Sequence, residues 1–305
     1  TDGYSRQRSN FVTSTPYPPQ TFFKPKIPGQ IGTGVEVGTV QRIRDQFLDY
    51  QYRMENSRAS YWAKRNDSLS QIEELLNEPS NNGLSKTTDL FWQSLQDLVD
   101  DVENTGARSV VAQRALALTE TFNHLSRSIQ SLQKNFKEQI DVSVKAVNSL
   151  VRQINTLNEQ IGKIEPHGML PNDLYDERDR LLDELSQYVN IKVTYSSSGA
   201  SALDIADGLA SIEIVDSEGN SIGEGVYLID IEGTDDIREA INELSIEFDD
   251  ENGLVSSINV EGYDELGSLD LFESIGSIQA LIESYGYIKN GEAVGEYPEI
   301  LANLD

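Results

Sequence analysis

Two histidines, His124 and His167, are the only imidazoles in this chain, and no cysteine accompanies them. Without cysteine there is no thiol nucleophile, thiolate metal site or disulfide. His124 stands between Phe122 and Leu125 in a helical pattern and reads as a helix-edge residue. His167 lies in a Glu165-Pro166-His167-Gly168 turn, and one His–Glu pair supplies too few ligands for a metal. Two histidines so far apart do not suggest a Ser-His-Asp arrangement. Carboxylates are so abundant that no single pair marks glycosidase chemistry. The run Asp216-Ser217-Glu218-Gly219-Asn220-Ser221 resembles a calcium loop superficially. Its sixth position is Ser221, where the loop requires Gly, and no acidic residue closes it. Asp249-Asp250-Glu251-Asn252-Gly253 fails in the same way, so both read as acidic hairpin turns. The glycines at 29, 32, 34 and 38 have no Gly-Lys-Ser/Thr after them, as a phosphate loop would. No catalytic, cofactor-binding or metal-ligating residue is predicted, and the chain reads as no enzyme.

The periodic elements are more informative. Residues 107–164 contain no Pro, and their single Gly, Gly162, falls in the last turn. Apolar residues recur there at steps of three or four, the pattern of a helix buried along one stripe. Fully helical, those 58 positions would extend roughly 87 Å. A rod of that length is built to span distance or to pack against copies of itself. Before it, residues 1–39 are rich in Pro and Gly and read as extended, with strand candidates at 21–23 and 34–37. A helix is expected from Val40, with Ile43, Phe47, Tyr50, Met54, Tyr61, Ile72 and Leu75 on one stripe and polar gaps at Ser57, Arg65 and Ser68. The cluster at 78–83 stops it. Ser85 can cap a second helix, with Leu90, Phe91, Leu95, Leu98 and Val99 on its apolar face.

Beyond the rod, Asn172 or Asp173 can cap a helix running through Val189, with Leu174, Leu181, Leu182, Leu185 and Val189 buried. Asp176 and Arg180 are spaced for a surface ion pair. At Asn190 the pattern changes to period two. Strands are expected at 191–195, 210–215, 226–231, 244–248 and 254–260, with a short helix at 235–244 and few inner-face residues. Helical character returns near Leu266 or Ser268, with Ile275, Ile278, Leu281, Ile282 and Tyr285 on one stripe, and Pro298 marks a last helix start. The expected fold is α+β and multidomain: an elongated helical bundle with one very long helix and a small β-rich insertion. Its parts are residues 1–195, a helical domain with an extended N-terminal segment, residues 196–265, an acidic β-rich outer domain, and residues 266–305, a helical return.

Charge is unevenly placed. Of the net −27, residues 196–305 carry −24, from 26 acids and two bases. An acidic surface repels nucleic acid phosphates and anionic lipid, so neither is an expected partner. No apolar run approaches the roughly 18 residues of a membrane span.

Several stretches together resemble one family. Gly3-Tyr4-Ser5-Arg6-Gln7 is similar to the end of the N-terminal signature of flagellar rod, hook and hook-associated proteins, with Asp2 where that signature has Pro. Gln41-Arg42-Ile43-Arg44-Asp45-Gln46-Phe47, Phe91-Trp92-Gln93-Ser94-Leu95 and Asn104-Thr105-Gly106-Ala107-Arg108 are more specific. The strongest is Leu170-Pro171-Asn172-Asp173-Leu174-Tyr175-Asp176-Glu177-Arg178-Asp179-Arg180-Leu181-Leu182-Asp183. These resemble the flagellar hook-associated protein 1 family over residues 1–195 and more weakly over 268–305. The resemblance implies a structural adaptor at the hook–filament junction, secreted through the flagellar type III export route and located on the flagellum outside the cell. It implies copies of itself, the hook protein, the next hook-associated protein and an export chaperone as partners. It also implies terminal coiled-coil helices outside this stretch, so the piece in hand is expected to be monomeric. The matched positions Tyr4, Arg6, Gln7, Arg42 and Arg44 are the candidates for a subunit interface. The competing reading is a secreted, stalked binding protein with an acidic β head.

Overall fold

Asn104 begins the rod. Its backbone is extended, and its side-chain oxygen accepts hydrogen bonds from the amides of Gly106 and Ala107 at 2.8 and 3.3 Å, as an N-cap does. From there one helix runs without interruption over Thr105–Ile164 (α3), 60 residues or roughly 90 Å. A single 3₁₀ turn at Glu165–His167 follows, and Gly168 in the left-handed region ends it. The computed structural model describes residues 3–15, 32–76, 83–100, 102–249, 252–263, 274–289 and 291–304. The strand candidate at 21–23, most of the turn at 78–83 and the helix start at 266–268 lie outside them.

The other elements in chain order are β1 (Gln7–Thr13), β2 (Val35–Arg42), α1 (Gln46–Leu76), α2 (Leu84–Asp100), α4 (Asn172–Leu185), β3 (Ile191–Ser196), β4 (Leu209–Val215), β5 (Ser221–Ile229), β6 (Leu244–Phe248), β7 (Val255–Val260), α5 (Ser277–Tyr285), β8 (Tyr287–Lys289), β9 (Glu292–Val294) and α6 (Glu296–Leu304). The fold is α+β, as its sequence pattern predicts. β1 and β2 pair as an antiparallel two-stranded ribbon. β3, β4 and β5 form an antiparallel sheet. In the third sheet, β6-β7-β8-β9, β7 and β8 run parallel because α5 connects them.

Several expectations are corrected. The helix expected from Val40 starts at Gln46, because residues 35–42 pair with β1 and Ile43 donates its amide to Arg6 O at 2.7 Å. Asp45 then caps α1 by accepting from the Phe47 amide at 3.0 Å. Ser57 and Ser68, expected as polar gaps, are fully buried, whereas Ile43 and Phe47 on the expected stripe are exposed. Ser57 donates to Asn190 Oδ1 at 3.3 Å, and α1 packs against α5, where Tyr61 donates to Glu283 at 2.6 Å. Val99, expected on the buried face of α2, is exposed. Helix α4 ends at Leu185 rather than Val189. The helix expected at 235–244 shrinks to a 3₁₀ turn at Ile237–Glu239. The hairpin β8–β9 was not anticipated, although Asn290-Gly291 between Ile288 and Ala293 is a hairpin signal.

The core is continuous across the three sequence segments. It joins Phe136, Ile140, Val147, Val151 and Ile154 of α3 to Leu182 and Leu185 of α4, Ile212 and Ile214 of β4, Val255 of β7 and Ile282 of α5. The acidic segment is therefore better buried than its sequence suggested. All seven residues of β4 are buried, and β4 pairs with β3 from the preceding segment. Burial along α3 is one-sided in length as well as face: its first buried residue is Ile129. Residues 105–128 lie alongside α2, beyond the main core.

Candidate assembly surface

The five sequence-predicted interface residues fall into two groups. Tyr4, Arg6 and Gln7 are exposed where the ribbon begins. Arg42 and Arg44, at and just past the end of β2, instead turn inward to a cluster of aspartates, most of them on α4. Helix α4 presents Asp176, Asp179 and Asp183 at i, i+3 and i+7, so one face carries three carboxylates in a row. Arg42 Nη1 lies 3.0 Å from Asp176 Oδ1 and 2.7 Å from Asp179 Oδ2, and Arg42 also pairs with Asp207. Arg44 Nε meets Asp49 at 2.7 Å and Asp179 at 3.4 Å. Arg53, on α1, donates to Asp179 Oδ1 at 3.1 Å and Asp183 Oδ1 at 2.8 Å. The Ser5 amide donates to Asp176 at 3.1 Å, and Asn172 donates to Val40 O at 2.8 Å. The base of the ribbon, α1 and α4 are thus tied together by alternating charge.

The expected surface pair Asp176–Arg180 does not form. Asp176 is buried against Arg42, and Arg180 on the exposed side meets Glu177 at 2.7 Å and Glu184 at 3.3 Å. The i, i+4 spacing was satisfied, but residues 42 and 176 are brought together only by the chain's path.

Electrostatics decide the protonation of this cluster. Burial opposes the charge on Asp179, yet Arg42, Arg44, Arg53 and Arg178 outweigh it and hold its carboxyl below the ordinary aspartate range. Asp183 goes the other way: burial raises it despite Arg53 and Arg44. Burial also works against the charge of Arg42, and Asp179 and Asp207 overcome it.

Arg178 is fully buried, a residue that sequence reasoning did not single out. Its guanidinium carbon lies 5.5 Å from the Tyr175 ring centre and 5.0 Å from that of Tyr195, while Nη1 donates to Gly208 O at 2.6 Å and Asn158 at 3.2 Å. Cation–π contact replaces part of the lost hydration. Glu165, also fully buried, accepts from Tyr175 OH, Ser198 OH and the Gly208 amide. Gly208 adopts φ +76°, and a Cβ there would stand 2.1 Å from Ser196 O.

A second fastening runs along α3. Asn148 donates to Leu244 O and accepts from the Leu244 amide, both at 2.9 Å. Asn158 does the same for Ala210, at 2.9 and 3.1 Å, and Asn155 donates to Ile237 O at 2.6 Å. Each paired amide binds a strand residue as a neighbouring strand would, fixing β4 and β6 against the rod. These asparagines flank the apolar stripe, one residue after Val147, Ile154 and Leu157, which was the available signal.

His124 and His167 are exposed and lie on different elements, and Glu165 is engaged with Tyr175 and Ser198. The Asp216 carboxylate is occupied by the amides of Glu218 and Asn220, both at 2.8 Å. Among the described residues no group of three or more acidic, His or Cys side chains is placed to hold a metal. Among them, too, no helix is long and apolar enough to cross a membrane.

Comparison with known proteins agrees with this architecture. Residues 69–286 match the family model for the helical domain of the flagellar hook-associated protein FlgK. That match runs through residues 196–265, where no motif was recognisable. The chain is 44% identical over its whole length to flagellar hook-associated protein 1 of Bacillus subtilis and spans 58% of that protein. It is 33% identical to the Salmonella typhimurium protein of the same name over 61% of this chain and 34% of that one. The fold resembles the flagellar hook junction protein FlgK of Burkholderia pseudomallei, with a TM-score of 0.58 at 20% identity, covering 76% of this chain and 38% of that chain. The family model covers residues 69–286 and the similarity to the Bacillus subtilis protein runs along the whole chain, so the chain belongs to the flagellar hook-associated protein 1 family.

Proposed function

We propose that the protein containing this chain is a structural adaptor between hook and filament, exported to the outside of the cell and acting through shape rather than catalysis. The observation that carries this reading is the 44% identity to flagellar hook-associated protein 1 along the whole of this chain. The geometry suits the role. The rod gives a fixed span, and the sheets are held against it by paired amide contacts. The ribbon presents Tyr4, Arg6 and Gln7 outward, while Arg42 and Arg44 hold its base. Its partners on this reading are further copies of itself, the hook protein, the next hook-associated protein and an export chaperone. The division into residues 1–195, 196–265 and 266–305 belongs to the same proposal, with residues 196–265 toward the outside of the tube.

Deleting the gene and imaging the cells tests this. Hooks without filaments, with flagellin released to the medium, are expected. Normal filaments on normal hooks would overturn the adaptor role and favour a secreted binding protein. The isolated chain is expected to remain a monomer, with a light-scattering mass independent of concentration.

A further inference from the structure

We propose that the β8–β9 hairpin and α6 form an acid-tightened strap: a proton taken up at Glu296 draws α6 onto α1, and its loss at higher pH loosens it. The strap is lightly attached. Among the described residues β8 registers with β7 only at Tyr287 and Val255, backed by the Val255 amide donating to Gly286 O at 3.1 Å. Its base is a pair of glycines packed together. Gly286 has φ +105°, and a Cβ there would stand 2.7 Å from Pro298 Cγ. Gly295 has φ +128°, and a Cβ there would stand 2.8 Å from Gly286 Cα. Both conformations favour glycine, so the two ends of the hairpin meet at a compact pivot. Tyr297 is buried and Ile300 packs against the main core, so the strap closes over an edge of that core.

Arg65 reaches from α1 to the start of α6, and it is shared. Its Nη1 donates to Glu283 Oε2 at 2.8 Å, while Nη2 stands 3.4 Å from Glu296 Oε1. Glu283 is well supplied with donors. Tyr61 OH reaches its Oε2 at 2.6 Å, and Gln279 Nε2 reaches its Oε1 at 3.0 Å. Glu296 is not: its Oε2 is buried with no hydrogen-bond partner among the described residues. Two carboxylates on one guanidinium leave a surplus negative charge, and a proton is best placed where the donors are fewest. Burial, with Glu283 and Glu299, presses Glu296 toward its neutral form against Ser284 and Arg65, and the net direction is upward from the ordinary glutamate value. Protonated, Glu296 keeps Arg65 on Oε1 and carries a donor on the buried oxygen. Ionised, it leaves that oxygen unpaired beside Glu283. The hold on α6 is therefore complete below the ordinary value near 4 and is lost as pH climbs through the folded value.

Amide exchange of the full-length protein, corrected for the intrinsic rate at each pH, reads the strap between about pH 4 and 8. Opening of β8–β9 and α6 that rises with pH, while the buried half of α3 stays protected, is expected. Glu296→Gln should hold α6 roughly fivefold or more tighter than the wild type at neutral pH, the equivalent of one buried group left unsatisfied, and remove most of the pH dependence. Arg65→Gln should loosen α6 chiefly at the higher pH values, where both carboxylates are charged. Equal loosening at every pH would make this arginine merely structural and overturn the sharing. Opening that is flat or falls with rising pH in the wild type, or a Glu296→Gln strap no tighter than the wild type at neutral pH, would overturn the proton's role. Should a variant fail to fold, the wild-type profile decides alone. None of these outcomes touches the adaptor role.

Discussion

Asp179 shows how one buried carboxylate holds three elements together. It touches Arg42 from the ribbon, Arg44 from the following turn and Arg53 from α1. Removing a partner from a buried pair leaves an uncompensated charge, which costs about 3–5 kcal/mol. Arg42→Ala should therefore lower the melting temperature substantially and abolish amide-exchange protection in β1–β2 while α3 stays protected. Protection retained in the ribbon would mean that its backbone bonds hold it alone. Arg42→Lys should recover little, since a single ammonium cannot meet Asp176, Asp179 and Asp207 together as the guanidinium does. The acid limb has a defined sign. The folded-state pKa of Asp179 is depressed, so its contribution is complete above the ordinary value near 4 and disappears as pH falls through the lower folded value. Asp183 and Glu296 act in the opposite sense, because burial raises both and each favours the folded state when protonated. Asp179→Asn should thus flatten the fall in melting temperature below about pH 4. A slope equal to that of the wild type would show that the arginines do not keep this carboxyl charged.

At the scale of elements, α3 is two helices in energetic terms. Its first stretch, before Ile129, packs along α2 with Trp92, Val99, Val110 and Leu116 left exposed. Its second half carries the core and the asparagine fastenings. Asn148→Ala would leave the Leu244 amide and carbonyl without partners, and each buried unsatisfied group costs about 1–3 kcal/mol. Faster hydrogen exchange in β6 than in β4 is the expected signature, because Asn158 continues to hold Ala210. Uniform loss of protection across both sheets would instead mean that they unfold as one unit. These asparagines each follow an apolar position of the predicted stripe, Val147, Ile154 and Leu157, and a polar residue at the edge of a stripe reads as solvent-facing. Only the approach of Leu244 and Ala210 shows that two of them are clamps.

On the scale of the whole molecule, buried tyrosines set the alkaline limit. Burial raises Tyr61, to about 12, and also raises Tyr175, Tyr195 and Tyr285. A phenol with a raised folded-state pKa contributes stability below the ordinary value near 10 and loses it as pH climbs through the folded value. Cooperative unfolding above about pH 10, with phenolate absorbance and helical ellipticity changing together, is expected. Phenolate appearing while ellipticity holds would mean that these rings ionise without unfolding the chain. By itself the sequence determined the α+β class, the uninterrupted rod, the acidic last third and the family, because periodicity and charge act over a few residues; that Asn104 caps the rod, where the sequence reads as a break before 107, came from the structure. Tertiary structure decided the rest. Val40 became strand because β1 lay alongside to pair with it. Asp176 turned from Arg180 to Arg42 because the ribbon crosses α4 there. The acidic strands became part of one core because α3, α4 and α5 close around them, and residues far apart in sequence meet only once the chain has folded.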